Sequence, residues 1–265
     1  MRVPVPVVPK KRPGFPARLG PAPIAQAPLG ATSGGGRQPL APAHLASGVG
    51  LDSSAVRNNM VRKLVAQGIA DARVLQAMGL VERHRFVDSA LVNQSYEDTS
   101  LPIGLGQTIS KPGVVAHMLE LLCQGQSGRL GRVLEIGTGC GYQAALLSHV
   151  CTEVYSIERL RGLHDKAREN LRHLRLRNVH LLFGDGMLGY AKGAPYAGII
   201  AAAGGDSIPE AWLDQLAVGA RLVAPVAAGA TPGRQELVVV EKTAQGWHRQ
   251  VLETVHFVPL KSGVA

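Results

Sequence analysis

A glycine-rich turn near the middle of the chain limits the possible folds more than any other feature of the sequence. Residues 133–142 read VLEIGTGCGY, a short apolar run that passes into the turn. The run has the length of a buried strand, and residues 142–150 predict a helix. Ligands of open parallel sheets bind where a strand passes into its helix, and glycine lets the backbone approach them closely. The segment therefore predicts an α/β fold with a binding site at Gly137, Gly139 and Gly141, although a purely structural tight turn is the alternative.

Strands and helices are predicted to alternate along the rest of the chain. The predicted strands cover residues 132–136, 153–158, 179–183, 198–202 and 221–226. Apolar residues at helical spacing lie between them, as at Leu163, Ala167 and Leu171. This alternation predicts a mostly parallel, twisted sheet with helices on both faces. The last two predicted strands, 236–243 and 249–257, differ because they join through Gly246 as an antiparallel hairpin.

The region before the turn is predicted to be mainly helical. A first helix begins after Asp52, Asp71 can cap a second, and Pro112 opens a third. Residues 96–110 lie between the second and third helices and are punctuated by two glycines. We expect these residues to form a polar loop.

The first fifty residues have a composition that does not favour folding. They contain ten prolines and eight glycines, six basic residues, no acidic residue and a single aromatic residue, Phe15. Such a segment buries too little apolar surface to offset the entropy of ordering it. We therefore expect a disordered basic extension over residues 1–51 and one folded domain over residues 52–265. The extension carries six of the nine net positive charges of the chain, so about +3 remains on the folded part. Charge of this kind predicts no specific nucleic-acid partner.

Signals for secretion, membrane insertion and metal binding are weak in this sequence. Prolines interrupt the apolar run at the N-terminus, and no later segment has the length of a membrane span. The three cysteines, Cys123, Cys140 and Cys151, have no Cys-x-x-Cys spacing, and the nine histidines are scattered. Buried free thiols, no metal, no membrane association and a cytoplasmic location are expected.

Two residues at the glycine turn distinguish between possible ligands. A dinucleotide site needs a small residue at the sixth position of its loop, where this chain has the bulky Tyr142. Glu135, just before the turn, would repel a pyrophosphate. A carboxylate suits a ligand with positive charge, and S-adenosylmethionine carries a sulfonium and an amino group. The turn therefore favours S-adenosylmethionine as the methyl-donating cofactor.

Two further acidic residues follow the next two predicted strands. Glu158 lies 21 positions after Gly137 and can accept hydrogen bonds from both ribose hydroxyls. Asp185, followed by Gly186, can accept from the adenine amino group. The alternatives are a solvated surface glutamate and an ordinary Asp-Gly turn.

Several segments together resemble the protein-L-isoaspartate O-methyltransferase family. They are LPIGLGQTIS at 101–110, the glycine turn, SIER at 156–159, GDG at 184–186 and FVPL at 257–260. The resemblance runs from about Arg57 to the end and implies a Rossmann-like S-adenosylmethionine-dependent methyltransferase fold. It implies methylation of the free carboxylate of L-isoaspartyl residues in aged proteins and peptides, which starts repair through a methyl ester and a succinimide.

The resemblance also assigns roles to individual residues. It makes Ser110 the active-site serine and implies that Thr108 and the backbone of Val258 hold the isoaspartyl segment. It implies that Glu158, Asp185 and the turn hold the cofactor. Ser110 stands two residues before Pro112, where a serine commonly caps a helix, so capping is its alternative role.

One segment departs from the family's pattern. The family usually has Ala-Ala-Pro after the fourth strand, whereas this chain has Gly204 and Gly205 after Ala202 and Ala203. These glycines predict a looser wall near the substrate.

The chemistry of carboxylate methylation matches the residues present. A carboxylate with a pKa of about 4 is already ionised at neutral pH, so no general base is required. Two alternatives stay open. One is a methyltransferase of the same fold that acts on RNA or another acceptor, and the other is a binding protein that has kept the fold without turnover.

Overall fold

A computed structural model describes residues 54–229 and 233–265. The extension predicted over residues 1–51 lies outside the described residues. Six α-helices are described: α1 (Ser54–Ala66), α2 (Ala72–Leu80), α3 (Pro112–Cys123), α4 (Tyr142–Val150), α5 (Arg161–Arg172) and α6 (Glu210–Gln215). The nine described strands are β1 (Leu101–Gly104), β2 (Gln107–Ile109), β3 (Leu130–Ile136), β4 (Cys151–Glu158), β5 (Val179–Phe183), β6 (Tyr196–Ala201), β7 (Leu216–Ala227), β8 (Gln235–Thr243) and β9 (Gly246–Val255).

Seven strands form one sheet in the order β5-β4-β3-β6-β7-β8-β9. The pairs from β5 to β7 are parallel, while β7–β8 and β8–β9 are antiparallel. The predicted parallel sheet with a C-terminal hairpin is thus confirmed. Because β3 pairs with β4 on one side and β6 on the other, the strand order reverses at β3, where a crevice opens at the carboxyl ends.

Apolar side chains are buried in two clusters on opposite faces of this sheet. Val133 of β3 belongs to one cluster with residues of α1 to α5, whereas its neighbour Leu134 belongs to the other with Trp212 of α6. Adjacent residues of a strand point to opposite faces, so helices cover both faces of the sheet. This arrangement leaves the crevice at the end of β3 as the place where functional groups can gather.

The helices before the sheet begin where the sequence indicates. The Asp71 carboxylate accepts hydrogen bonds from the N–H groups of Arg73 and Val74, as predicted for the cap of α2. The carboxylate of Glu120 on α3 accepts from the N–H groups of Ala70 and Asp71, at 2.7 and 2.8 Å. These bonds fix α2 against α3.

The segment 96–110 differs from the polar loop that we expected. Its second half is an antiparallel hairpin in which Leu101 pairs with Ile109 and Pro102 with Thr108. Leu101, Ile103 and Ile109 are buried, so the hairpin closes over the core and is more ordered than a solvated loop. Within the described ranges, no helix is long and apolar enough to cross a membrane.

Candidate functional site

The glycine turn lies in the crevice at the end of β3. Gly137 and Gly141 have φ angles of 89° and 91°, a region that side chains other than glycine rarely adopt. A Cβ at Gly141 would lie 3.2 Å from the Leu171 side chain, so the turn also packs tightly against α5. Gly137 donates to the carbonyl of Ile157 at 2.9 Å, which ties the turn to β4. The backbone therefore forms a rigid cradle with no side chain to obstruct a ligand.

Glu158 reaches this cradle from the end of β4. It is buried, and its Oε2 accepts a hydrogen bond from the Gly139 N–H at 2.9 Å, while Oε1 accepts from the Leu160 N–H at 2.9 Å. A carboxylate has about four lone-pair positions, so each oxygen can still accept a hydrogen bond from a ligand hydroxyl. Glu158 lines the same cavity as Gly137 and Gly139.

Glu135 is placed differently. Its side chain is fully buried behind the turn, where Ser156 Oγ donates to its Oε2 and Thr138 Oγ1 lies 2.6 Å from Ser156 Oγ. Burial raises the pKa of Glu135 to about 8. Its Oε1 has no hydrogen-bond partner among the described residues. Glu135 is not among the cavity-lining residues, so in this structure it supports the turn from below.

Asp185 and Gly186 follow β5 at the neighbouring edge of the crevice. The Asp185 carboxylate accepts from the Met187 N–H at 2.8 Å and from the Gly263 N–H at 2.6 Å. Gly186 lines the cavity, and its carbonyl accepts from the Trp212 indole at 2.8 Å. Neither Asp185 nor Gly141 is among the lining residues that the structure describes, so both lie just outside the cavity wall.

The β1–β2 hairpin brings Ser110 and Thr108 to the opposite side of the cavity. Lys166 on α5 donates to the carbonyl of Ile103 at 2.9 Å and so holds the hairpin against the cofactor half of the site. Lys111 occupies the N-cap position of α3, whose side chain makes no capping bond. No described residue forms a hydrogen bond with the Ser110 hydroxyl. Ser110 is thus not a helix cap in this structure, and its hydroxyl is available to a ligand.

The third wall is made of residues 202–203 and 258–261. Gly204 donates to the carbonyl of Val258 at 2.9 Å and accepts from the Leu260 N–H at 2.8 Å, while Gly205 accepts from the Ala227 N–H at 2.9 Å. Backbone pairing thus holds both glycines in this wall, and the looser wall predicted from them stays a prediction. The structure brings Ser110, Thr108 and Val258 into one cavity with Gly137, Gly139, Glu158 and Gly186.

A second cavity of about 610 Å³ adjoins the first, whose volume is about 260 Å³. Ser110 lines both of them. The second cavity has apolar residues such as Ile69 and Val114 in its wall, together with Asp98 and Glu253. Ser110 therefore lies between two neighbouring cavities.

Several lining residues were not identified from the sequence. They are mostly apolar side chains around the cradle: Ile103, Leu105, Ile157, Leu160, Leu163 and Leu260. The sequence placed Ile157 in a predicted strand and Leu163 on an apolar helix face, whereas Ile103 and Leu105 fell in the predicted polar loop. Nothing in the sequence distinguishes an apolar residue beside a ligand from one in the core, so spatial proximity was needed to identify them.

The cavity has the chemistry of a nucleoside-binding pocket. Within residues 54–229 and 233–265, no group of three or more His, Cys, Asp or Glu side chains could hold a metal ion. A glycine cradle, apolar walls and a carboxylate at the end of the second parallel strand suit a nucleoside with a charged substituent.

Comparison with known proteins gives a consistent result. The family profile described as protein-L-isoaspartate(D-aspartate) O-methyltransferase matches residues 55–265. A protein-L-isoaspartate O-methyltransferase of Methylibium petroleiphilum is 59% identical over 219 residues, which cover 82% of this chain and 81% of that protein. One from Leptothrix cholodnii is 58% identical over 233 residues, which cover 86% of this chain and 81% of that protein.

Solved structures agree with the fold. A protein-L-isoaspartate O-methyltransferase structure superposes with a TM-score of 0.71 at 28% identity, covering 78% of this chain and 67% of that chain. A beta-aspartate methyltransferase from Plasmodium falciparum, determined in complex with S-adenosyl-L-homocysteine, gives a TM-score of 0.67 at 23% identity and covers 77% of this chain and 98% of that chain. The second of these supports the fold alone.

Proposed function

This chain belongs to the protein-L-isoaspartate(D-aspartate) O-methyltransferase family, and we propose that it methylates the free carboxylate of L-isoaspartyl residues in damaged proteins. The methyl donor is S-adenosylmethionine, which supplies an electrophilic methyl group when bound. The products are a methyl ester and S-adenosylhomocysteine. The ester carbonyl is more electrophilic than a carboxylate and can release methanol, so attack by the backbone nitrogen of the next residue closes a succinimide, whose hydrolysis returns part of the residue to normal aspartate.

One observation carries this proposal: the Ser110 hydroxyl, which makes no hydrogen bond with any residue that the structure describes, lies where the glycine-lined cavity meets the second cavity. A methyl donor in the first cavity and a polypeptide along the second would meet beside Ser110. A cavity of about 610 Å³ gives room for residues on either side of the acceptor, as a protein substrate requires. A small-molecule acceptor would leave the second cavity without a role.

We propose distinct roles for the site residues. The turn at Gly137, Gly139 and Gly141 holds the donor through its backbone, and Glu158 accepts hydrogen bonds from the ribose hydroxyls. Glu135 and Asp185 lie outside the cavity lining, so in this proposal Glu135 supports the turn through its hydrogen bond with Ser156, and Asp185 holds the adjoining loop through Met187 and Gly263. Gly186 has no side chain, so it leaves space in the cavity for the nucleoside of the donor.

Ser110 orients the acceptor in this proposal. Its neutral hydroxyl donates one hydrogen bond to the acceptor carboxylate, and Thr108 and the Val258 backbone hold the adjoining peptide. The acceptor is already ionised at neutral pH, so no residue needs to remove a proton. Rate enhancement then comes mainly from alignment of donor and acceptor, which can contribute about 7–11 kcal/mol in well-oriented reactions.

A cytoplasmic location, with aged intracellular proteins as substrates, belongs to the same proposal. It is supported by the three cysteines, which are all buried free thiols, as a reducing compartment would maintain them.

The test compares two synthetic peptides that differ only in one linkage, normal aspartyl against isoaspartyl. With a radiolabelled methyl donor, we expect base-labile label on the isoaspartyl peptide and background label on its twin. Equal labelling of both peptides would refute isoaspartyl recognition. If neither peptide is labelled, a thermal-shift titration separates a pure binding protein from a protein that lacks the donor site, because a ligand at a hundred times its Kd stabilises by about 2.7 kcal/mol.

A further inference from the structure

Gln235, the first residue of β8, holds the segment that forms the third wall of the cavity. Its Oε1 accepts a hydrogen bond from the Phe257 N–H at 2.7 Å, and its Nε2 donates to the Phe257 carbonyl at 3.3 Å. A side-chain amide carries a donor and an acceptor side by side, so it can pair with both backbone groups of one residue in this way. Phe257 directly precedes Val258, whose backbone is proposed to hold the acceptor peptide.

Gly204 and Gln235 fit together at this point. A Cβ built on Gly204 would lie 2.3 Å from Gln235 Nε2 and 2.6 Å from its Cδ. Any side chain at position 204 would therefore displace the amide from Phe257. The Gln235 amide occupies the space that a side chain at position 204 would need.

Gly204 and Gln235 both form hydrogen bonds with the segment 257–260. Gly204 pairs with Val258 and Leu260 through its backbone, and Gln235 pairs with Phe257 through its side chain. Val258, Pro259 and Leu260 line the cavity that contains Ser110. The position of this wall relative to Ser110 thus depends on four hydrogen bonds that Gly204 and Gln235 supply.

We propose that Gln235 is a positioning residue for the acceptor, acting through Phe257 and Val258, and that Gly204 is its obligatory partner. This inference rests on the proposed function, since it concerns how the acceptor peptide is held. Val258 to Leu260 also line the cavity that holds the donor, but the glycine turn and Glu158 lie on β3 and β4 and make no hydrogen bond with Gln235, so cofactor affinity should depend on Gln235 less than peptide binding does.

The test starts with Gln235→Met, which keeps the length of the side chain and removes both hydrogen bonds. We expect KM for the isoaspartyl peptide to rise about tenfold, the loss that one or two hydrogen bonds bring. The Kd for S-adenosylhomocysteine should change less than about twofold. Gln245→Met is the matched control, because Gln245 is exposed in the turn between β8 and β9 and should leave both values unchanged.

A second variant, Gly204→Ala, tests the same hydrogen bonds independently. A methyl group there should push the flexible amide off Phe257, so this variant should reproduce the KM of Gln235→Met. The double variant should be no worse than either single variant, because both remove the same bonds. Additive effects, or an unchanged KM in Gln235→Met, would overturn the proposal.

Hydrogen exchange of the backbone amides of Phe257, Val258 and Leu260 supplies a readout that does not need turnover. Exchange should accelerate in both single variants and stay unchanged in Gln245→Met. If Gln235→Met unfolds, Gly204→Ala is compared with the double variant Gly204→Ala/Gln235→Ala. The double variant has no amide to displace, so the two proteins should have the same KM for the isoaspartyl peptide. Failure of the wild-type protein to prefer the isoaspartyl peptide would instead refute the proposed function, and unaltered exchange would refute only the role of Gln235.

Discussion

Glu158 holds Gly139 across the boundary between two strands: its Oε2 accepts the Gly139 N–H at 2.9 Å. Glu158 ends β4, and Gly139 is the middle glycine of the turn after β3. The carboxylate therefore shapes the cradle before any ligand arrives, and the same group is placed to contact the ligand. Because Glu158 has both roles, we expect its replacement to weaken cofactor binding strongly.

Glu158→Ala should weaken binding of S-adenosylhomocysteine by about ten- to a hundredfold, because hydrogen bonds to a charged group are worth about 1.5–3 kcal/mol. Isothermal titration calorimetry measures the change. Glu153→Gln is the control, since Glu153 lies on the same strand but pairs with Arg132 at 2.8 Å, away from the cavity. If Glu158→Ala kept the wild-type affinity, Glu158 would not be a cofactor-binding residue.

Ser110→Ala should lower kcat for the isoaspartyl peptide by about ten- to a hundredfold, the range for a lost hydrogen bond to a carboxylate. The Kd for S-adenosylhomocysteine should stay within about twofold, because the hydroxyl faces the acceptor and makes no hydrogen bond to described residues. Steady-state kinetics and calorimetry on the same preparation test both statements. Ser127→Ala, at an exposed position, controls for removal of a serine hydroxyl. A parallel loss of cofactor affinity would indicate collapse of the hairpin.

The buried Glu135 predicts a pH dependence of stability. Burial raises its pKa to about 8 in the folded protein, from a usual value near 4.5. The folded state then binds the proton more tightly than the unfolded state, so this group stabilises most at low pH. The contribution declines as pH rises from about 4.5 and is fully lost above about 8.

Glu135→Gln removes this titration. The free energy of unfolding of the wild-type protein should fall relative to the variant by up to about 1.4 kcal/mol per pH unit between pH 5 and 8. Urea unfolding at several pH values measures the difference. A constant difference across this range would mean that Glu135 is ionised in the folded protein.

The three thiols should be unreactive in the native protein. Burial raises the pKa of Cys123 and of Cys140 to about 11, and it raises that of Cys151 as well. Only the thiolate reacts quickly with disulfide reagents. Titration with an aromatic disulfide at pH 8 should therefore be slow, and it should give three equivalents at once in denaturant. A rapid single equivalent in the native protein would identify an exposed thiol.

The sequence predicted the sheet because it depends on local patterns, and it identified Gly137, Gly139, Glu158 and Gly186, which the structure brings to one cavity. A glycine turn after an apolar strand, and an acid at the end of the next strand, are visible without knowledge of long-range contacts. The β1–β2 hairpin was not predicted, since its strands have only four and three residues and one contains Pro102. The sequence also could not show what lies beside Gly204. The residue that occupies the space beside Gly204 is Gln235, and only the folded chain shows that this amide bonds to a residue 22 positions further along.

The last residues of the chain connect two loops of the cofactor site. Gly263 donates to Asp185 at 2.6 Å, and the backbone of Ala265 pairs with Arg159 and Arg161, at 2.9 and 2.8 Å. An affinity handle fused after Ala265 would pull on the loops that carry Asp185 and Glu158, so it would weaken donor binding without altering any site residue. For purification and for immobilisation on a sensor surface, the opposite terminus is the suitable attachment point.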